Sequence, residues 1–155
     1  MRVFFAGTPA FVIPCLRASA AGRRVCGVLT SPDKPKGRGR RTEAPPVKEE
    51  AVRLGLPVLQ PHKLDSSLLD RVSALRPDVL VVAAYSKIFK KEFLDLFPLG
   101  RLNIHPSLLP RFRGPSPVQA AILSGDTETG VTVQSLSLRM DAGAVSYTHL
   151  RAHET

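Results

Sequence analysis

Several residue types are scarce in this sequence, and each scarcity excludes a class of protein. The 155 residues contain no tryptophan and two cysteines, Cys15 and Cys26, which lie in apolar stretches with no metal-binding partner nearby. We predict free, buried thiols and no metal site. No apolar run reaches the roughly 18 residues that a membrane-spanning helix needs. The first strand begins at once and has no signal-peptide pattern, so we predict a cytoplasmic protein with no membrane partner.

Acidic residues are also few, because 13 Asp and Glu stand against 22 Lys and Arg, which leaves a net charge of +9. Such an excess either favours a polyanionic partner or keeps the protein soluble. Nearly half of it lies between positions 33 and 41, where five cations and one acid leave +4. Residues 31–41, which include this stretch, have neither a helical nor a strand period and are predicted to be a loop. We call its five cations the basic segment: Lys34, Lys36, Arg38, Arg40 and Arg41.

Apolar strands alternate with helical stretches over most of the chain. Strands are predicted at 3–6, 25–29, 58–59, 78–84, 101–104 and 131–138, and helices at about 9–20, 47–54, 66–75, 90–97 and 118–123. Strands separated by helices imply right-handed crossovers and a mainly parallel sheet with helices on both faces. The predicted fold class is therefore α/β, doubly wound and Rossmann-like. Residues 146–155 continue neither period, and we predict an appendage outside a domain that spans 1–145.

A pair of polar residues marks a candidate site at the end of one predicted strand. Active sites of such sheets form beyond the carboxyl ends of the strands, where Asn103 and His105 stand. The two are two positions apart on an extended chain, so their side chains point the same way. An amide donor beside an imidazole suits a carbonyl group that becomes an oxyanion. On this pair alone, a structural and a catalytic role for His105 are equally open.

The residues that follow carry a resemblance to a known family. Residues 103–114 read Asn-Ile-His-Pro-Ser-Leu-Leu-Pro-Arg-Phe-Arg-Gly, which is similar to the signature of the folate-dependent formyltransferases in its methionyl-tRNA formyltransferase version. Three further stretches agree in order and spacing, at 5–9, at 30–39, and at 124–133 leading to 140–143. The resemblance runs from residue 1 to about 145. It implies the formyltransferase fold for this stretch.

The resemblance also implies a reaction and the residues that carry it. A formyl group would pass from 10-formyltetrahydrofolate to the amino group of methionyl initiator tRNA for translation initiation, without a metal, in a monomer. The family's catalytic Asn, His and Asp match Asn103, His105 and Asp141. The first two would stabilise the tetrahedral oxyanion, and Asp141 would orient a water or His105 for proton passage. Taken alone, Asp141 is an ordinary turn aspartate.

Two binding regions follow from the same resemblance. The family's folate-binding stretch matches Ser107, Leu108, Leu109 and Pro110, although two loop leucines can also pack onto the core. Tyr85 and Ile88, after the central predicted strand, are candidates to wall the pterin pocket. The basic segment matches the insertion that grips the tRNA acceptor stem in the family. A solvated run of charges is the alternative for that segment.

The sequence departs from the family after Asp141. The family's acidic residue beyond the Asp-x-Gly turn is missing, and residues 146–155 match nothing in the family. We expect the catalytic domain to be partial, and the chain to be inactive and prone to aggregate. Two rival functions stay open. One is a folate-dependent formyltransferase or hydrolase with a small substrate, against which the basic segment argues. The other is a nucleic-acid-binding fragment without catalysis.

Overall fold

A computed structural model of the chain describes residues 1–36, 41–137 and 141–152, and these belong to two units, Met1–Gly100 and Arg101–Thr155. The strands of the first unit are β1 (Arg2–Gly7), β2 (Arg24–Leu29), β3 (Lys34–Lys36), β4 (Arg41–Glu43), β5 (Val58–Leu59) and β6 (Val79–Ala83). Its helices are α1 (Ile13–Ala20), α2 (Pro46–Arg53), α3 (Ser66–Ala74) and α4 (Lys91–Leu94), with a short 3-10 helix at Ala10–Val12.

The first unit is built on four parallel strands in the order β5-β2-β1-β6. Every residue of β1 from Val3 onward is buried, and five of the six residues of β2 are buried as well. Strands that bury both faces must be apolar throughout, which is why these runs do not alternate. At the end of β1 the backbone passes so close to β6 that a Cβ on Gly7 would lie 2.7 Å from the carbonyl oxygen of Ala83.

A buried carboxylate joins α1 to α2. Glu50 is 6% exposed and accepts hydrogen bonds from Arg53 Nη2 at 2.6 Å and from Arg17 Nε at 2.7 Å. These two guanidinium groups, Arg53 first and then Arg17, lower the pKa of Glu50 to about 2. The carboxylate is therefore charged and paired, as a buried charge has to be.

Apart from Gly100, the last residue of the first unit, β7 (Gly100–His105) belongs to the second unit, together with α5 (Pro117–Leu123), β8 (Glu128–Ser135) and β9 (Val145–Ala152). Its strands are antiparallel in the order β7-β8-β9. In β8 the buried positions alternate, and they are Gly130, Thr132 and Gln134. Two of the three are polar, which is unusual for the covered face of a strand. Across the strand pair, Gln134 lies opposite Asn103 and Thr132 lies opposite His105.

The predicted fold class is confirmed, and three element predictions are wrong. The stretch predicted to be a loop at 31–41 contains β3 and the first residue of β4, and these two strands pair antiparallel from Lys34 with Glu43 to Lys36 with Arg41. Of the predicted appendage, the residues up to Ala152 belong to β9, which pairs with β8. The helix predicted at 90–97 is only the four residues of α4. The ribbon sequences, Lys-Pro-Lys and Arg-Thr-Glu, contain no apolar strand-forming residue, so no hydrophobic period could have predicted the two strands.

Both cysteines are free, as predicted, but only Cys26 is buried, whereas Cys15 is half-buried. Burial raises the pKa of each thiol. None of the helices within the described ranges combines the length and the apolarity required to traverse a lipid bilayer. Among the described residues, no group of three or more His, Cys, Asp and Glu is arranged to hold a metal ion.

Candidate active site

The carboxylate of Asp141 is the centre of a buried polar cluster in the second unit. Its Oδ1 accepts hydrogen bonds from Gln134 Nε2 at 3.0 Å and from Asn103 Nδ2 at 3.1 Å, and it lies 3.4 Å from His105 Nδ1. Its Oδ2 accepts a hydrogen bond from the backbone N–H of Gly114 at 2.8 Å. The structure therefore brings the three predicted catalytic residues together, although Asp141 is 38 positions from Asn103.

Three local features of the backbone position this cluster. Asn103 and His105 lie two residues apart on β7, so the extended strand presents both to the same side. Asp141 has a φ of 48°, a left-handed conformation that aspartate tolerates better than most residues. Gly114, with a φ of 102°, adopts a conformation open to glycine, and this directs its N–H to the carboxylate.

The imidazole of His105 is held on both sides. Its Nε2 lies 2.8 Å from the carbonyl oxygen of Phe112. Because a carbonyl oxygen only accepts, this contact assigns a proton to Nε2. Nδ1 is then the nitrogen that faces Asp141, and it forms an ion pair with the carboxylate when it is also protonated. The two side chains are 6% and 8% exposed, so bulk water screens their interaction weakly.

The loop that supplies the Phe112 carbonyl is fixed by its neighbour Arg111. The guanidinium forms a two-pronged ion pair with Asp126, with Nη1–Oδ2 and Nη2–Oδ1 distances of 2.9 Å. It also lies 4.8 Å from the centre of the Phe112 ring. Phe112 itself has a φ of 54°, which is strained for an aromatic residue. The surrounding contacts thus hold a strained residue whose carbonyl orients the histidine.

The predicted folate-binding stretch, 107–110, is attached to β8 by one hydroxyl group. Thr132 Oγ1 donates to the carbonyl oxygen of Ser107 at 2.7 Å and accepts from the backbone N–H of Leu109 at 3.2 Å. Ser107 is fully buried, and its own Oγ donates to the carbonyl oxygen of Arg111 at 2.7 Å. Leu108 and Leu109 are half-buried and Pro110 is exposed, so the two leucines are neither free nor fully packed onto the core.

The other two predicted folate-binding residues lie in the first unit and differ from each other. Tyr85 is buried and stacks on Phe89 with ring centres 5.4 Å apart, and burial raises its pKa to about 12. Its hydroxyl has no hydrogen-bond partner among the residues that the structure describes. Ile88 is 75% exposed and lines a cavity of about 530 Å³ together with residues such as Lys63 and Leu69.

The basic segment begins at a well-anchored aspartate. Asp33 accepts hydrogen bonds from Lys48 Nζ and from Gln60 Nε2, each at 2.6 Å, and these two donors lower the pKa of its carboxyl group. Gln60 also donates to the carbonyl oxygen of Ser31 at 2.8 Å. The only acid between positions 33 and 41 is therefore bound outside the basic segment. Of the segment itself, Lys34 is exposed, the backbones of Lys36 and Arg41 are described, and Arg38 and Arg40 lie outside the described residues.

Sequence reasoning missed four groups in the site. They are the side chains of Gln134 and Thr132, the N–H of Gly114 and the carbonyl oxygen of Phe112. One signal could have found the two side chains. Polar residues at 132 and 134 alternate with Val131 and Val133, which places them together on one face of a strand.

The chain matches the protein family described as formyl transferase over residues 1–150. It is 52% identical over 148 residues to a methionyl-tRNA formyltransferase of a Roseiflexus species, and 49% identical over 145 residues to that of Borrelia hermsii. The alignments cover 94% of this chain but only 46% and 47% of those relatives, so the chain spans about half of their length. The fold is similar to that of phosphoribosylglycinamide formyltransferase from Bacillus halodurans, with a TM-score of 0.79, 22% identity, and coverage of 99% of this chain and 81% of that one. By the extent of the family match, this chain belongs to the formyl transferase family.

Proposed function

We propose that this chain provides the formyl-transfer site of a methionyl-tRNA formyltransferase. The reaction moves a formyl group from 10-formyltetrahydrofolate to the amino group of methionyl initiator tRNA. One observation carries the proposal: the Asp141 carboxylate binds Asn103 and lies beside His105 in a buried cluster. The relatives that share half of this sequence or nearly so bear the name of that activity.

The chemistry follows from the hydrogen-bonding capacity of the three side chains. The substrate amine attacks the formyl carbon, and the carbonyl oxygen of the formyl group becomes an oxyanion. The amide of Asn103 has two N–H groups. One donates a hydrogen bond to Asp141, so the second can donate to the oxyanion. Because the Phe112 carbonyl occupies Nε2, we assign proton exchange to Nδ1 of His105.

Collapse of the tetrahedral intermediate needs a proton on the departing nitrogen. The attacking amine gains a positive charge and releases a proton, while the bond between the formyl carbon and N10 of the folate breaks. Asp141 directs this proton through His105 or through a water molecule that it orients. No covalent bond between enzyme and formyl group is required, because the amine attacks the donor directly.

Two binding regions complete the proposal. Residues 107–110 bind the folate, and the half-buried leucines at 108 and 109 offer apolar surface to a flat ring. A folate-binding role for Tyr85 and Ile88 of the first unit stays a prediction from the sequence. The basic segment binds phosphates of the tRNA. This is supported by the hydrogen bonds of Asp33 to Lys48 and Gln60, because the Asp33 carboxylate is then not paired with the cations of the segment. A charged-tRNA substrate implies a cytoplasmic enzyme with no membrane partner, and we propose that it acts as a monomer.

A second function is a formyl transfer to a small amine, or to water. The catalytic cluster serves either reaction, and the similar fold of a phosphoribosylglycinamide formyltransferase is compatible with it. The basic segment favours tRNA over this alternative. A third function, nucleic-acid binding without catalysis, leaves the buried cluster around Asp141 unexplained.

A hybrid protein separates these functions. Residues 1–145 of this chain replace the matching segment of the Roseiflexus relative, and the parent relative is assayed alongside. We expect the hybrid to form N-formylmethionyl-tRNA from 10-formyltetrahydrofolate, and we expect the Asp141→Ala variant to lose the activity. Release of formate without formylated tRNA would support the hydrolase. Binding of tRNA without either product, next to an active parent, would support the nucleic-acid-binding fragment.

A further inference from the structure

Gln134 has no role in the proposed chemistry, yet it contacts the centre of the cluster. We propose that Gln134 is a positioning residue, whose side-chain amide holds the Asp141 carboxylate in the orientation that formyl transfer requires. The inference rests on the proposed function. Gln134 lies on β8 opposite Asn103, and it is 1% exposed, so its amide is fixed within the protein.

The contact has one chemically allowed orientation. A carboxylate oxygen only accepts, so the group 3.0 Å from Asp141 Oδ1 is the Nε2 donor of Gln134. The same oxygen accepts from Asn103 Nδ2 and faces His105 Nδ1. With Gly114 on Oδ2, these contacts determine the plane of the carboxylate from both ends.

This arrangement preserves the donor capacity of Asn103. In the absence of Gln134, Asn103 would be the only side-chain amide on Oδ1 among the hydrogen bonds described, and the carboxylate could turn toward His105 or recruit both amide protons. Either change removes the proton that Asn103 would donate to the oxyanion. Gln134 therefore acts through Asp141 and Asn103, and it need not touch the substrate.

The other end of the amide argues against a role in stability alone. Oε1 of Gln134 is buried and has no hydrogen-bond partner among the described residues. An unpaired buried acceptor destabilises the folded state, and an apolar side chain of similar volume would remove that cost. A strand that served only packing would carry such an apolar residue at this position. The amide is thus explained by its donor, which binds Asp141.

The test uses two substitutions in the hybrid protein. Gln134→Met keeps the volume and removes the donor, whereas Gln134→Glu keeps the shape and places a second carboxylate beside Asp141. We expect kcat to fall about 10-fold in the first variant and further in the second, with KM for folate and tRNA changed less than about 3-fold. Val133→Ala, on the opposite face of the same strand, is the control and should retain kcat.

Thermal unfolding separates a positioning role from a structural one. We expect the Gln134→Met form of the hybrid protein to unfold at the same temperature as the unsubstituted hybrid or higher. A lower unfolding temperature together with unchanged kcat per folded molecule would overturn the proposal. An active hybrid whose Gln134→Met variant keeps full kcat would do the same. An unsubstituted hybrid that forms no product, beside an active parent, would instead refute the proposed function on which the inference rests.

The contact itself is testable in the hybrid protein. Nuclear magnetic resonance should show slow solvent exchange of the Gln134 side-chain N–H protons, and Asp141→Ala should accelerate it at least 10-fold. The matched control is Asp33→Ala, which removes the carboxylate partner of Gln60 and should leave the Gln134 signal unchanged. Fast exchange in the unsubstituted hybrid, or no response to Asp141→Ala, would show that the two side chains do not interact.

Discussion

Replacing Thr132 by valine should weaken folate binding, because it removes two hydrogen bonds that hold residues 107–110 on β8. Valine has nearly the shape of threonine but lacks the hydroxyl that hydrogen-bonds to both the Ser107 carbonyl oxygen and the Leu109 backbone N–H. The net contribution of such a bond is about 1 kcal/mol, and Thr132 is fully buried, so water cannot replace either partner without a rearrangement. The loss is therefore about 2 kcal/mol for the attachment of residues 107–110 to β8.

This loss sets an upper limit on the effect that an experiment can find. Since about 1.4 kcal/mol corresponds to a factor of ten, 2 kcal/mol lowers the population of the attached conformation by at most about 30-fold. The apparent dissociation constant of a ligand that needs this conformation rises by the same factor. We therefore expect Thr132→Val to weaken binding of 10-formyltetrahydrofolate by between about 3-fold and 30-fold.

Calorimetric titration of the hybrid protein with 10-formyltetrahydrofolate measures this effect. Thr132→Ser is the matched control, because it keeps the hydroxyl and removes only a methyl group. Hydrogen exchange at the amide of Leu109 reports on the attachment directly, and thermal unfolding reports whether the fold as a whole has changed. The reasoning is refuted if Thr132→Val and Thr132→Ser bind folate equally well while the Leu109 amide exchanges faster only in the valine variant.

Three further predictions concern catalysis, nucleic-acid binding and acid stability. His105→Ala and Asn103→Ala in the hybrid should each lower turnover about 100-fold or more and leave folate affinity unchanged, because both act on the transition state. Near-normal turnover in either variant would contradict a catalytic role for that residue. Replacing the basic segment by alanines should reduce the salt dependence of tRNA binding. The slope of log affinity against log salt concentration should fall by somewhat under one unit for each phosphate that the protein no longer neutralises. Equal slopes for the two proteins in a salt titration would identify the segment as a solvated run of charges. Glu50, with its pKa lowered from 4.5 to about 2, should stabilise the fold above pH 4.5 and lose this effect as the pH falls toward 2. Glu50→Gln should flatten that part of the curve of unfolding temperature against pH, and an unchanged curve would contradict the assignment.

The fold could be predicted from the sequence wherever burial leaves a clear pattern. The apolar runs of β1, β2 and β6 predicted strands because most of their residues are buried. The pairing of β3 with β4 could not be predicted, because their sequences, Lys-Pro-Lys and Arg-Thr-Glu, show no hydrophobic period. The strand β9 was missed for a similar reason, since the side chains described from Val145 to His149 are all exposed.

The candidate site was predictable only in part, and sequence distance decides which part. Asn103 and His105 follow from a spacing of two on one strand, which is a local rule. Asp141 is 38 positions from Asn103, so no local rule joins them, and only the resemblance to the family predicted that they act together. The carbonyl of Phe112 belongs to the backbone, and no side-chain pattern predicts which carbonyl will orient a histidine.

The buried face of β8 carries two polar residues that stability alone does not explain. Thr132 and Gln134 are 0% and 1% exposed, and they lie opposite His105 and Asn103. Apolar residues at both positions would bury more nonpolar surface. They would also avoid a buried acceptor such as Gln134 Oε1, which has no hydrogen-bond partner within the described part of the chain. Instead, the hydroxyl of Thr132 binds the loop at 107–110, and the amide of Gln134 binds the Asp141 carboxylate. Because the polar positions coincide with the neighbours of the predicted catalytic residues, we attribute the polar face of β8 to the reaction, at the expense of packing.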